Sequence, residues 1–178
     1  INMKKEFALI VLLTIHVFGS FAQIGPGGVG NSSSLAVWLD ASLLGLSNND
    51  GVESWIDVSG NANHFAQSNV AKRPTFIFSA INGKPAVRFD GLNDYVVSSA
   101  IAGLNNDNSI SWFVINSYGN QVTSMDAFNA NYSDNSRRFG SYFTPSGSRI
   151  GGFLRDIAST DAYLIPHDFA THIYSQVW

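Results

Sequence analysis

From Leu35 onward, every apolar run in the chain is short and ends in a cluster of Asn, Gly, Asp or Ser. That punctuation limits the fold more than any other feature. "LAVWLD" (35–40), "AVRFD" (86–90), "DYVVSS" (94–99), "ISWFVI" (110–115), "RRFGSYF" (137–143), "SRIGGFL" (148–154), "DAYLI" (161–165) and "THIYSQVW" (171–178) each read as one strand. In "AVRFD", Val87 and Phe89 share one side of the pleat and Arg88 and Asp90 the other, which puts Phe89 toward a core. "ISWFVI" is apolar on both sides and reads as a central strand covered above and below. No segment of this part keeps a 3.6-residue period, and "SLLGLS" (42–47) has room for one helical turn. About seven or eight short strands with frequent turns make an all-β, two-sheet antiparallel jelly-roll sandwich the expected fold.

The first residues follow another rule. Ile1-Asn2 read as sequence ahead of a start at Met3. Lys4-Lys5, an apolar stretch from Phe7 to Phe18 and Gly19-Ser20-Phe21-Ala22 then have the order of an export signal. The stretch is too short to span a bilayer, which takes about 20 residues. Cleavage is expected between Ala22 and Gln23, giving a secreted or cell-surface protein with no membrane span. Residues 23–34, "QIGPGGVGNSSS", form a flexible lead-in, and 35–178 form the folded domain. Trp178 ends the sequence inside an alternating β pattern, so the expectation is a sandwich lacking its last strands.

Composition removes several functions. The formal net charge is −3, with no run of basic residues to track a phosphate backbone, so nucleic acid is not an expected partner. Cysteine is absent, which excludes disulfides, thiolate metal sites and a cysteine nucleophile. Charged residues make up 13%, and polarity comes instead from Asn, Ser, Thr and Gly, a palette suited to turns.

Within "VESWIDVSGNANH" (52–64), Asp57 can accept from backbone N–H groups and Gly60 permits positive φ. The segment reads as a strand entering a turn braced by side chains, with a ligand site as the alternative. "LAVWLDAS", "DGVESWIDVSGNANHFAQ", "RPTF" and "INGKPAVRFDGLNDYV", in this order and spacing, resemble the laminin G-like, concanavalin A-like jelly-roll domain of large secreted bacterial proteins. The resemblance is close from Leu35 to about Tyr95, and "SISWFVI" and "THIYSQVW" are similar to later strands of that family. It implies two packed antiparallel sheets and recognition of carbohydrate or protein, often within an adhesin or a polysaccharide-acting enzyme. One fold of this kind hosts many functions, so the resemblance names no single ligand.

The stretch "INGKPAVRFDGLNDYV" (81–96) has a tight-turn dipeptide at Asn82-Gly83 and a polar turn after Phe89. Asp90, Asn93 and Asp94 could supply oxygens to Ca²⁺, which takes about six to eight, with carbonyls and water completing the set. Related laminin G-like domains bind calcium in some cases. The other reading is that Asp90 and Asn93 simply brace the turn.

Catalysis is not expected. A jelly-roll glycosidase needs two carboxylates, one as acid and one as nucleophile or base. After signal cleavage Glu53 is the sole glutamate, and most of the Asp residues sit beside turn formers. Asp156 and Asp161 lie in a loop-like region, and Ser141, Ser146 and Ser148 have no evident base. His64, His167 and His172 are scattered, without the spacing of a ligand pair. Asn31-Ser32-Ser33 and Asn131-Tyr132-Ser133 match the glycosylation pattern, which matters only in a eukaryotic secretory route.

Aromatic residues are the remaining carriers of function. In the last strand His172, Tyr174, Gln176 and Trp178 fall on one side, where rings could stack on sugars and amides could bond hydroxyls. The alternative is an ordinary outward face. Trp38, Trp55 and Trp112 sit among apolar neighbours and are expected in the core. The chain therefore reads as a non-catalytic recognition module for a polysaccharide or a cell-surface glycan or protein. The competing readings are a hydrolase or lyase with catalytic residues elsewhere, and a structural spacer.

Overall fold

Period-two patterning with no helical stretch gives the expected result: the described residues are almost entirely strand and turn, with three short 3₁₀ turns as their only helical pieces. The computed structural model describes residues 25–28, 33–99, 101 and 111–117, and the backbones of the strands 125–131, 138–144, 149–155, 160–166 and 172–177. The expected signal segment 1–22, Trp178 and His167 lie outside the described residues.

Among the described residues ten strands follow in order: β1 (Ser54–Trp55), β2 (Phe65–Ala66), β3 (Thr75–Ile81), β4 (Lys84–Arg88), β5 (Ser111–Asn116), β6 (Met125–Asn131), β7 (Arg138–Thr144), β8 (Arg149–Arg155), β9 (Thr160–Pro166) and β10 (His172–Val177). Every ladder is antiparallel. β6 to β9 form a four-stranded meander, whereas β1–β2, β3–β4 and β5–β10 are two-stranded. The β5–β10 pair is the non-local one: the chain completes the meander before β10 returns beside β5.

Local chemistry explains the hairpins. Ile81 pairs with Lys84, so Asn82-Gly83 is a two-residue turn. Asn82 has φ 50° and Gly83 φ 73°, the double positive φ that favours Asn-Gly and matches the twist of the strands. β7 and β8 pair out to Thr144 with Arg149, which places "PSGS" between them as the Pro and Gly there lead one to expect. β6, "MDAFNAN", carries no strong strand signal because Asn and Ala interrupt it; its ladder with β7 slips between Asp126 and Phe128.

Several expectations need correction. Residues 35–40 and 94–99 are not full strands; each makes a single bridge, Leu39 with Asp57 and Val97 with Ala66. The reason for the first is that side chains take its polar groups, with the Trp38 N–H bonded to Asp57 Oδ1 at 2.8 Å. Phe89 does not enter a core: β4 ends at Arg88, the polar turn starts at once, and the ring is 39% exposed. β5 is not covered on both sides. Phe113 and Ile115 are 74% and 61% exposed, while Trp112, Val114 and Asn116 are half-buried. Trp38 and Trp55 are likewise half-buried rather than fully enclosed, as large rings often are.

Among the described residues the buried apolar set is small. Val52 and Phe76 are enclosed, with Pro74 beside them. They lie where residues 49–52 run along the outer edge of β3: Asn49 N–H bonds Phe76 O, Phe76 N–H bonds Asp50 O and Val52 N–H bonds Pro74 O, each at 2.8 Å. The Phe78 N–H continues that edge by bonding Asn48 Oδ1 at 3.0 Å. The other buried side chains are polar: Asp57, Ser59, Asn63 and Gln67.

Gly83 has open space where a Cβ would stand, so its substitution tests backbone conformation alone. Gly83→Ala should lower stability by about 1 kcal/mol in urea unfolding, and Gly83→Asn by less, because asparagine tolerates positive φ. Val52→Ala, at a fully enclosed side chain, should cost about 2 kcal/mol.

Candidate functional site

The sequence "DVSGNANHFAQ" alternates small polar residues with others, and the fold turns that alternation inward. Asp57, Ser59 and Asn63 are buried and Asn61 half-buried, while Gly60, Ala62 and His64 face out. Gly60 at φ 93° and Ala62 at φ 57° bend the backbone so that the polar set converges.

Asp57 is the centre. Its Oδ1 accepts from Trp38 N–H at 2.8 Å and Ser59 N–H at 2.9 Å. Its Oδ2 accepts from the Ser59 hydroxyl at 2.8 Å and Asn63 N–H at 2.9 Å. These fill the four acceptor positions of a carboxylate. The neighbours then tie down residues 35–38. Asn61 Nδ2 donates to Leu35 O at 2.7 Å, Asn63 Nδ2 to Ala36 O at 2.8 Å and Val58 N–H to Trp38 O at 2.9 Å. Burial by itself would raise the Asp57 pKa, but the four donors outweigh it and hold the carboxyl below its ordinary value. The Asp57 N–H donates to His64 Nδ1 at 3.1 Å.

A second tie runs through Gln67. Its N–H bonds Glu53 O at 2.8 Å, its Nε2 bonds Tyr95 O at 3.2 Å and its Oε1 accepts from Asn69 N–H at 3.0 Å. Arg73 closes the same corner by bonding Gln67 O at 2.9 Å and pairing with Glu53 at 3.0 Å.

The turn after β4 holds the candidate calcium residues. Asp90 Oδ1 accepts from the N–H groups of Leu92, Asn93 and Asp94 at 2.8, 3.0 and 3.2 Å, and Asp94 Oδ2 accepts from Asp90 N–H at 3.0 Å. The N–H groups of Leu92, Asn93 and Asp94 hold the Asp90 carboxyl below its usual value. Asp94 is pushed up by burial, with the Asp90 charge adding to it. Gly91, at φ 76°, allows the reversal. Asp90 and Asp94 therefore brace the turn through their carboxylates, whereas Asn93 contributes its backbone N–H. Among the described residues, no group of three or more His, Asp or Glu side chains is arranged to hold a metal ion.

The candidate sugar-facing residues of β10 are placed by register: His172 stands opposite Asn116, Tyr174 opposite Val114 and Gln176 opposite Trp112. Their β5 partners are the half-buried positions, and the exposed row of β5 is Ser111, Phe113 and Ile115. The three β10 residues are thus brought together along one ladder, away in sequence from Asp90, Asn93 and Asp94.

Compared with known proteins, the chain matches no family model, no curated protein and no solved structure. Among the described residues no helix is long and apolar enough to cross a membrane.

Sequence reasoning identified Asp57 as a turn acceptor but missed Ser59, Asn61, Asn63 and Gln67 as buried ties. Their period-two spacing was the available signal; it resembles an outward polar row, and only the inward bend at Gly60 and Ala62 reverses it.

Asp57→Asn replaces one acceptor oxygen by an amide that faces the donors Ser59 Oγ and Asn63 N. It should cost about 3 kcal/mol in urea unfolding. The depressed Asp57 pKa stabilises the fold above the unfolded carboxylate value of about 3.9. That contribution is lost as pH falls through the folded value, so acid unfolding of Asp57→Asn should be less steep below about pH 4 than in the parent.

Proposed function

We propose that this chain is an exported, non-catalytic recognition module of the laminin G-like, concanavalin A-like class, binding a polysaccharide or a cell-surface glycan or protein. The observation that carries the reading is the Asp57 knot. The first two motifs of the resemblance, "LAVWLDAS" and "DGVESWIDVSGNANHFAQ", meet there in one bonded unit, which supports reading them together. The antiparallel ladders and the return of β10 to β5 across the meander also support a jelly-roll sandwich.

Recognition falls to exposed loops and to the β5–β10 ladder with His172, Tyr174 and Gln176. Asp90, Asn93 and Asp94 form an accessory calcium position, using the carboxylate oxygens that the turn leaves unbonded, Oδ2 of Asp90 and Oδ1 of Asp94. Affinity per module is modest and rises when modules are repeated. A hydrolase reading would place its carboxylate pair outside this sequence, and a spacer reading would need no ligand.

On a glycan array the full-length protein should be retained by at least one polysaccharide, and Tyr174→Ala and Gln176→Ala should weaken that retention. No retention on any glycan, with or without Ca²⁺, would favour the spacer. Calorimetry with Ca²⁺ should give binding heat that Asp90→Asn and Asp94→Asn reduce; no heat and no thermal shift would remove calcium from the account.

A further inference from the structure

We propose that Asn82 is a self-modifying site: its side-chain amide is lost to attack by the Gly83 nitrogen, leaving aspartate and isoaspartate at the tip of the β3–β4 hairpin. Asn-Gly occurs once in the chain, and both residues are exposed, so water reaches them. In the first step the Gly83 nitrogen gives up its proton and bonds to Asn82 Cγ while the Cγ–Nδ2 bond breaks. The proton leaves with Nδ2 as ammonia, and a five-membered succinimide ring remains. Water then adds to either carbonyl of that ring and opens it. One opening gives aspartate; the other gives isoaspartate, in which the backbone runs through Cγ. The chemistry is redox-neutral and solvent water is its only co-reactant.

The turn controls the first step. The ring is nearly planar, so Cβ and the Gly83 nitrogen must stand on the same side of the Asn82 Cα–C bond. For an L-residue that is a ψ of about −120°, the value of the first central residue in a type II′ turn. The observed turn has positive φ at both positions, 50° at Asn82 and 73° at Gly83. That is the type I′ pattern, whose first ψ is about +30° and turns the nitrogen away from Cβ. Types I′ and II′ share a positive φ at the first position and differ by a flip of the central peptide. Asn82 already holds the φ that both require. The central peptide lies beyond the closing pair Ile81–Lys84, so its flip breaks no ladder bond. Gly83 has open space around it and accepts the negative φ of the flipped turn.

The two Asp-Gly pairs have the same spacing and are held. The Asp50 carbonyl accepts from Phe76 N–H at 2.8 Å, so the peptide between Asp50 and Gly51 cannot turn over without breaking the edge of β3. Asp90 Oδ1 accepts from the N–H groups of Leu92, Asn93 and Asp94, which anchors that side chain in its own turn. An ionised carboxylate is also a poorer electrophile than an amide. Every other asparagine precedes a residue with a Cβ, which crowds the attacking nitrogen. Isoaspartate adds a backbone atom and a negative charge to a two-residue turn, so the product loosens the Ile81–Lys84 closure. The modification is independent of which ligand the module takes.

Peptide mass spectrometry of the full-length protein, aged at mildly alkaline pH where the attacking amide loses its proton more readily, tests the proposal. The peptide spanning β3 and β4 should gain one dalton, with isoaspartate at position 82, ahead of the other asparagines of residues 35–99. Because the flip is local, Val52→Ala should modify Asn82 within about twofold of the parent rate. A reaction that required the whole domain to unfold would run roughly thirtyfold faster in that variant, the factor matching its expected loss of stability. That acceleration would overturn the proposal, as would an Asn82 that stays intact or reacts after another of those asparagines. Should Val52→Ala not fold, the parent in urea below its unfolding transition decides: a flat rate supports the turn flip, and a rate that climbs with urea refutes it.

Discussion

A single buried carboxylate organises residues 35–64 of this protein. Asp57 gives up its water and receives four donors in return, three backbone N–H groups and one hydroxyl, which would themselves be costly to bury unpaired. The direction of its pKa shows which effect prevails: the donors win over burial. Trp38, Ser59 and Asn63 are thereby held to one point, and the strap 35–38 is fixed to a turn about twenty residues away in sequence without a regular ladder between them. A domain without cysteine has no covalent link to do this, and a charged acceptor with satisfied lone pairs takes that place.

Much of this was legible in the sequence, because it depends on local chemistry. Asp-x-Ser-Gly announces an Asx turn, Asn82-Gly83 announces a two-residue hairpin, and Pro145 with Gly147 separate β7 from β8. The bracing of the 90–94 turn was legible for the same reason, although the second brace is Asp94 rather than Asn93. What was not legible depends on long-range placement. "LAVWLD" has strand composition, yet its Trp38 amide goes to a carboxylate instead of a neighbouring strand. "AVRFD" alternates, yet the turn begins before Phe89 can point inward. The inward row of Ser59, Asn61, Asn63 and Gln67 has the alternation of a solvent face, and no composition rule separates the two.

β5 shows how one strand serves two environments. Trp112, Val114 and Asn116 are half-buried and stand in register with Gln176, Tyr174 and His172, whereas Phe113 and Ile115 stay exposed beside Ile173 and Ser175 in the ladder. A strand with apolar residues on both sides is suited to a position between two layers. His172, Tyr174 and Gln176 thus stand in register with the half-buried row of β5, and the exposed row of the ladder is carried by Phe113 and Ile115.

Amide hydrogen exchange measures the central claim most directly. If the Asp57 knot holds the strap, the amides of Trp38, Ser59 and Asn63 exchange only with global unfolding, as slowly as the most protected amides of β3, although none of the three lies in a regular strand. Exchange of those amides as fast as that of Asn82 and Gly83 at the exposed hairpin tip would contradict it.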